Sequence, residues 1–397
     1  MKTDLSNSPL NLKTAARLDG ISEYYFSQKL AEIARLRQQG HPVLNLGIGS
    51  PDLPPPPAAA ETLTQWAVKE NAHGYQSYRG IPPLRTAWAN FYQRHYGVLL
   101  NPEKEVLPLI GSKEGIVHLS FTYLESGDQV LVPNPGYPTY RAAAILAGAT
   151  VVEYPLAAEN GWLPDLDLLE KTDLSKVKMM WLNYPHMPSG APASPAFFEK
   201  IIAFAHRHGI LLCHDNPYGF LGDAQPISLL AAPGALEVAV ELNSMSKTFH
   251  MAGWRMGVLA GAAERLEEVL RFKSNMDSGT FLPVQMATVA ALEAGGEWFE
   301  HIRQTYRRRR QIAAELLEML DCTWHPGQAG LFLWAKIPAG YADSFVFSDR
   351  WLAQANVFLT PGGIFGSQGD GYVRISLCSP DGDFEEAKNR ISNFQFD

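Results

Sequence analysis

From about residue 60 to residue 260 the chain alternates short apolar runs with helical stretches, and this alternation limits the fold more than any other feature. The runs lie at 106–110, 129–132, 150–153, 177–182, 210–213, 238–241 and 257–260. Runs that are apolar at nearly every position suit strands covered on both faces, whereas a half-exposed strand alternates apolar with polar residues. The expected fold class is α/β, a mostly parallel sheet covered by helices. At 397 residues and 46% hydrophobic, the chain is long enough for such a domain and for a second.

The flanks differ from this core. Residues 23–39 carry Phe26, Leu30, Ile33 and Leu36 at helical spacing, with Gly40 as a stop, which predicts an amphipathic helix. A short strand at 43–46 follows, and then Pro54 to Pro57, a stiff connector without backbone donors. Helix-rich sequence from about 284 to 320 leads to strand-like runs at 330–335, 357–360 and 372–376, which read as a smaller α+β unit. The expected division is an amino-terminal arm with part of the small domain at 1–57, a large domain at 58–290, and the rest of the small domain at 291–397.

A net charge of −8 argues against nucleic acid or an anionic membrane as the main partner. The basic run Arg307 to Arg310 reads as a solvated helix face. Cys213, Cys322 and Cys378 are odd in number, widely spaced and without a CxxC, so a reducing compartment is expected. Neither Met1 to Asn7 nor any later segment offers an apolar run of membrane length, and the expected location is the cytoplasm. His206 and His208 lack the spacing and carboxylates of a metal site, so no metal is expected. No GxGxxG follows a strand, which gives no support for a nicotinamide cofactor.

In open α/β sheets function collects at the carboxyl ends of the strands. Asn183, Asp215 and Lys247 each follow an apolar run. Lys247 lies in Asn243-Ser244-Met245-Ser246-Lys247-Thr248-Phe249-His250-Met251-Ala252-Gly253-Trp254-Arg255-Met256-Gly257, with Ser244 and Ser246 before it and Arg255 after it. A lysine amine becomes a nucleophile toward carbonyls when burial or a nearby cation lowers its pKa. Hydroxyls and a guanidinium beside it suit phosphate oxygens, so the stretch is built for a phosphorylated carbonyl compound.

This stretch resembles the lysine segment of the fold type I pyridoxal-phosphate aminotransferases, the aspartate aminotransferase superfamily, and the resemblance runs from the helix at 23 to Arg374. It implies a Schiff base between Lys247 and pyridoxal 5'-phosphate, with Lys247 also moving the substrate α-proton. In Asp215-Asn216-Pro217-Tyr218 the family pattern gives Asp215 the cofactor ring nitrogen and Tyr218 its phenolic oxygen, although the same four residues also suit a plain turn. Gly111-Ser112-Lys113-Glu114-Gly115 resembles the phosphate loop, with Ser112 and the Lys113 amide as donors and Ser244 and Arg255 completing the cup; an ordinary helix cap would look similar. Tyr137 matches the plate that stacks on the ring, and Asn183 joins the cofactor-binding set. Arg374 matches the planar grip on the substrate α-carboxylate, with Gly49 approaching it by bare backbone. Tyr75 matches a tyrosine that reaches the phosphate of a partner subunit, which implies a homodimer with shared sites.

One position departs from the pattern. Where the family carries an asparagine that donates to the phenolic oxygen, this chain has Met187, in Met187-Pro188-Ser189-Gly190. Tyr218 is then the expected donor, with His186 as a possible substitute. The resemblance implies an aminotransferase acting on an amino acid and a 2-oxo acid. Two alternatives stay open: another reaction on the same scaffold, such as a C–S lyase or decarboxylase, and a cofactor-binding protein with weak turnover.

Overall fold

The computed structural model describes residues 12–394. The stretch Met1 to Asn7, read above for apolar runs, lies outside the described residues. After Leu44–Asn45 (β1), the alternating region forms Val106–Leu109 (β2), Gln129–Asn134 (β3), Thr150–Pro155 (β4), Val177–Asn183 (β5), Leu211–Asp215 (β6), Ala239–Ser244 (β7) and Gly257–Gly261 (β8). β2 to β8 make one seven-stranded sheet in the order β2-β8-β7-β6-β5-β3-β4. Neighbours in it run parallel except at β8, which is antiparallel to both β2 and β7.

The strands are apolar throughout because both faces are covered. Consecutive side chains point to opposite faces, and in β5 Met179 and Trp181 enter one buried cluster while Met180 and Leu182 enter the other. Helices Ser112–Tyr123 and Ala263–Lys273 close the first face with Ile116, Leu119, Leu266 and Val269. Helices Pro82–Tyr96 and Pro195–His208 close the second with Leu84, Trp88, Phe198 and Ile201. Proline at the first turn of each and a left-handed glycine after the last, Gly97 and Gly209, fix where these two helices begin and end.

Beyond the large sheet lie Thr323–Trp324 (β9), Phe332–Lys336 (β10), Val357–Phe358 (β11), Thr360–Pro361 (β12) and Tyr372–Ser376 (β13). β12-β13-β10-β9 is an antiparallel sheet, and β11 takes β1 as its parallel partner, so the segment before Pro54 meets the carboxyl-terminal third of the chain. No described helix is long and apolar enough to cross a membrane.

Two sequence expectations change. In helix Tyr25–Gln38 the buried positions are Lys29 and Ile33, while Leu30 is exposed. Lys29 replaces it on the inner face because its ammonium lies 2.7 Å from Glu32 and 5.8 Å from the centre of the Phe358 ring, which lets the apolar stem pack inward. The basic run is only half a solvated face. Helix Gly296–Met319 buries Phe299, Ile302, Tyr306 and Arg309 along one stripe, so Arg307 and Arg308 meet surface carboxylates while Arg309 turns inward.

Candidate active site

The turn after β2 and the carboxyl ends of β3, β5, β6 and β7 open into one cavity of about 430 Å³. β7 ends at Ser244, whose Oγ accepts from the Ser246 amide at 3.1 Å and caps the single helical turn Met245–Thr248. That turn presents Lys247 to the cavity. Its Nζ donates to the Gly49 carbonyl at 2.6 Å. Burial is the largest influence on this amine and lowers its pKa, with Arg374 and Arg255 pushing the same way. Both His250 and Arg255 hold φ near +55°, in the left-handed region, as the chain reverses into β8.

Asp215 closes β6. Its Oδ2 accepts from the Tyr140 hydroxyl at 2.9 Å, and its Oδ1 is buried without a hydrogen-bond partner. Burial pushes the carboxyl up to about 6, against the pull of the Tyr140 hydrogen bond. Asn183, at the end of β5, donates from Nδ2 to the Asp215 carbonyl at 2.7 Å and accepts the Met187 amide on Oδ1 at 2.8 Å. It lines the cavity, and its amide ties two strand ends and the next loop together.

At the far side the chain turns at Gly111, φ +86°, into helix Ser112–Tyr123. A Cβ on Gly111 would stand 2.4 Å from Arg255 Nη2, so only glycine lets this guanidinium close on the turn. Arg255 donates to the carbonyls of Ile110 at 3.2 Å and Ala252 at 2.9 Å. Ser112, Lys113, Ser244 and Arg255 all line the cavity beside this helix amino terminus. Hydroxyls, free amides, a guanidinium and the positive end of a helix dipole make a site for a phosphate dianion.

Arg374, on β13, is buried among the rings of Phe332, Phe365 and Phe26, at 3.8, 4.7 and 5.4 Å from their centres. Nη2 donates to the Gly47 carbonyl at 2.9 Å, Nη1 lies 3.3 Å from the Met187 sulfur, and Nε has no partner. None of its described partners is a carboxylate. Burial lowers its pKa to about 10, so it remains a cation at neutral pH and suits an incoming carboxylate.

Gly49, Tyr137, Tyr218 and Met187 also line the cavity. Tyr75 does not: it is 95% exposed, beside the Gln76–Gly279 bridge. The suggestion that His186 could replace the missing asparagine is corrected. Its ring is occupied, with Nδ1 2.7 Å from Ser189 Oγ and Nε2 3.2 Å from the Pro135 carbonyl, and it does not line the cavity. Sequence reasoning missed Tyr24, Phe26, Ile48, Tyr140, Phe332 and Phe365. Tyr140 was visible in part, three residues after Tyr137 on a proline-initiated helix, so the two rings meet edge to face at 5.6 Å. Away from the cavity Glu114, His118 and Asp277 bring ligand atoms within 4.8 Å of one another, but Lys273 Nζ already holds Asp277 at 2.6 Å.

The description "Aminotransferase class I and II" fits residues 41–391. LL-diaminopimelate aminotransferase of Dehalococcoides mccartyi is 40% identical over 97% of this chain and 99% of its own length. The enzyme of that name from Moorella thermoacetica is 40% identical over 96% and 98%. Substrate-bound BacF from Bacillus subtilis superposes with a TM-score of 0.92 at 40% identity, covering 96% and 98% of the two chains. A Thermus thermophilus aspartate aminotransferase mutant gives 0.89 at 26%, covering 96% and 99%. The chain belongs to the class I and II aminotransferase family, and it is a pyridoxal-phosphate-dependent enzyme acting on amino and 2-oxo acids.

The residues present fit that cofactor. The cup at Gly111 and Arg255 suits its phosphate, the unpartnered Oδ1 of Asp215 suits a protonated ring nitrogen, and Lys247 suits its aldehyde. Because the Asp215 carboxyl is raised, ionising it costs stability as pH rises from 3.8 to about 6, and a cation at the ring nitrogen offsets that cost. Tyr140→Phe removes a donor to the ionised form, so the Asp215 titration should move above about 6. Cofactor uptake by the apoprotein, followed by equilibrium dialysis from pH 5 to 9, should rise at a higher pH in the variant. Superimposable profiles would show that the hydrogen bond does not set the charge of Asp215.

Proposed function

We propose that Lys247 carries the cofactor and moves the α-proton of an amino acid, while Arg374 holds the α-carboxylate and Asp215 holds the ring nitrogen. One observation supports this above others: an amine with a lowered pKa, a carboxylate oxygen without a partner and a guanidinium without a counter-ion share a single cavity. Pyridoxal phosphate, when bound, supplies an electron-withdrawing ring that stabilises negative charge on the substrate α-carbon. Ser112, the Lys113 amide, Ser244 and Arg255 would hold its phosphate independently of Lys247. Tyr137 would cover the ring, and Tyr218 would donate its hydroxyl to the phenolic oxygen; burial keeps that hydroxyl protonated at any working pH. The Lys247 amine would take the α-proton as a neutral base, because burial disfavours its ammonium form. Gly49 brings a carbonyl rather than a side chain to the same spot, since a Cβ there would stand 2.3 Å from the Phe332 ring.

On the strength of the relatives' names the proposed amino donor is LL-diaminopimelate, with 2-oxoglutarate as acceptor. The working unit is proposed as a homodimer in which each Tyr75 reaches the partner's phosphate cup. Exposed Tyr75, Val68, Met276 and Phe281, at 95, 80, 60 and 42% exposure, support a second copy covering this face. Residues 58–290 are assigned to the cofactor-binding domain and the flanking segments to the smaller one, in keeping with the β1–β11 pairing. A cytoplasmic location accords with three free, buried cysteines.

Lys247→Ala should abolish transfer from LL-diaminopimelate to 2-oxoglutarate, assayed as glutamate formed, while phosphate-anchored cofactor binding largely survives. Full activity in that variant would sink the assignment. Dimers assembled from Tyr75→Phe and Lys247→Ala chains should retain one intact site, and activity no higher than in either parent homodimer would argue against shared sites. Met187→Asn adds one neutral donor near the phenolic oxygen, worth about 1 kcal/mol, so the pH midpoint of the bound cofactor's visible absorbance should fall by somewhat under one unit. An unmoved midpoint would mean that residue 187 faces Arg374 alone.

A further inference from the structure

Helix Gly296–Met319 sends a row of side chains to the back of the active site, and the mechanism above uses none of them. Trp298 Nε1 donates to the Thr248 carbonyl at 3.1 Å, one residue after Lys247. Phe299 packs at 5.9 Å against Phe249. The Tyr306 hydroxyl lies 3.2 Å from His250 Nε2, and His250 Nδ1 lies 3.2 Å from the Leu53 carbonyl. Burial lowers the His250 pKa to about 4, so the ring is neutral. A carbonyl can only accept, so Nδ1 carries the proton and Nε2 accepts from Tyr306. These contacts hold the lysine segment from behind and join it to the loop at residues 47–53.

Arg309, one turn further along the same stripe, is 3% exposed. It grips Asp52 through two parallel bonds, Nη1 to Oδ1 at 2.7 Å and Nη2 to Oδ2 at 2.8 Å. It also donates to the Leu377 carbonyl at 3.0 Å, just past β13, and to Asp381 at 3.2 Å. The loop that Asp52 closes presents two carbonyls to the site: Gly47 receives Arg374 Nη2, and Gly49 receives Lys247 Nζ. A two-pronged guanidinium–carboxylate pair fixes orientation as well as distance. The Asn45 side chain holds the start of the loop through the amides of Gly47 and Ile48, and Thr360 Oγ1 donates to the Gly47 carbonyl at 2.8 Å; at the far end the Asp52 pair is joined only by the His250–Leu53 bond among the described side-chain contacts.

We propose that Arg309, through Asp52, is a positioning residue for transamination: the pair sets the loop at residues 47–53, and the loop sets the distance between the amine of Lys247 and the carboxylate grip of Arg374. This rests on the roles proposed above for those two residues. Neither Arg309 nor Asp52 lines the cavity. Their loss should therefore leave the cofactor bound and disturb the registration of the substrate against it. Lysine cannot restore the fork, so Arg309→Lys should behave as a loss.

The test uses the holoenzyme with LL-diaminopimelate as donor and 2-oxoglutarate as acceptor. Asp52→Asn is the primary variant because its side chain is partly exposed, at 24%, and the amide is isosteric. Asp52→Asn and Arg309→Lys should each raise the donor KM by about tenfold or more, with the dissociation constant of pyridoxal phosphate within about twofold of the parent. The double variant should be no worse than the poorer single one, because both changes break the same pair. Arg307→Gln, on the surface of the same helix, should match the parent in both quantities. Unchanged KM in Asp52→Asn, multiplicative losses in the double variant, or an equal loss of cofactor affinity would each overturn the proposal. Activity surviving in Lys247→Ala would instead overturn the roles on which it rests, so the two failures are distinct.

Discussion

Three ionisable groups, Lys247, Asp215 and Arg374, are held in one largely apolar cup, and taking their charges out of water sets the terms for what surrounds them. The effective penalty is several kcal/mol per buried ion. Each group meets it differently. Asp215 has its charged form disfavoured and receives one hydroxyl; Lys247 also has its charged form disfavoured and gives one bond to a carbonyl; Arg374 keeps its charge against three aromatic faces. None of the three satisfies either of the others by direct contact. A ligand that brings a cation to the first and a carboxylate to the last settles both at once, and recognition therefore begins in the desolvation already built into the protein.

The alternation of runs made the large sheet legible because its strands are covered on both sides, and a strand with no wet face has no polar positions to confuse the reading. The strand ends are legible for the same reason, and their order alone places Asn183, Asp215 and Lys247 at one crevice. What the sequence hid was direction. Nothing in the residue order shows that the rings of Phe332 and Phe365 face the guanidinium of Arg374. Arg309 sits in a run of four arginines, and charge alone could not tell which would turn inward; that follows from its place in the stripe Phe299, Ile302, Tyr306, Arg309. Leu30 and Lys29 exchanged places because a long amphipathic side chain can bury its stem and still pair its ammonium.

Two glycines explain how a backbone loop comes close enough to act as a functional group. A Cβ at Gly47 would stand 2.4 Å from the Phe358 ring, and one at Gly49 would stand 2.3 Å from Phe332. Phe332, part of the aromatic wall that shields Arg374, thus also excludes a side chain from residue 49, and Phe358 does the same at residue 47. Their carbonyls take that space, which links these aromatic rings to the hydrogen bonds of the Lys247 amine and the Arg374 guanidinium.

The antiparallel β8 has its own consequence. In a parallel unit the segment after a strand climbs into a helix and returns at leisure, and its length can drift. Between β7 and β8 the chain must come straight back, with Ser244 paired to Gly257 and Asn243 to Val258. The twelve residues 245–256 between those strands are pinned at both ends by backbone hydrogen bonds. A slip of one residue along a strand moves the chain about 3.3 Å and turns each side chain to the other face. The pairing therefore works as a ruler for the lysine, and lineages that vary this enzyme's substrates should find insertions tolerable in almost any other connection before this one.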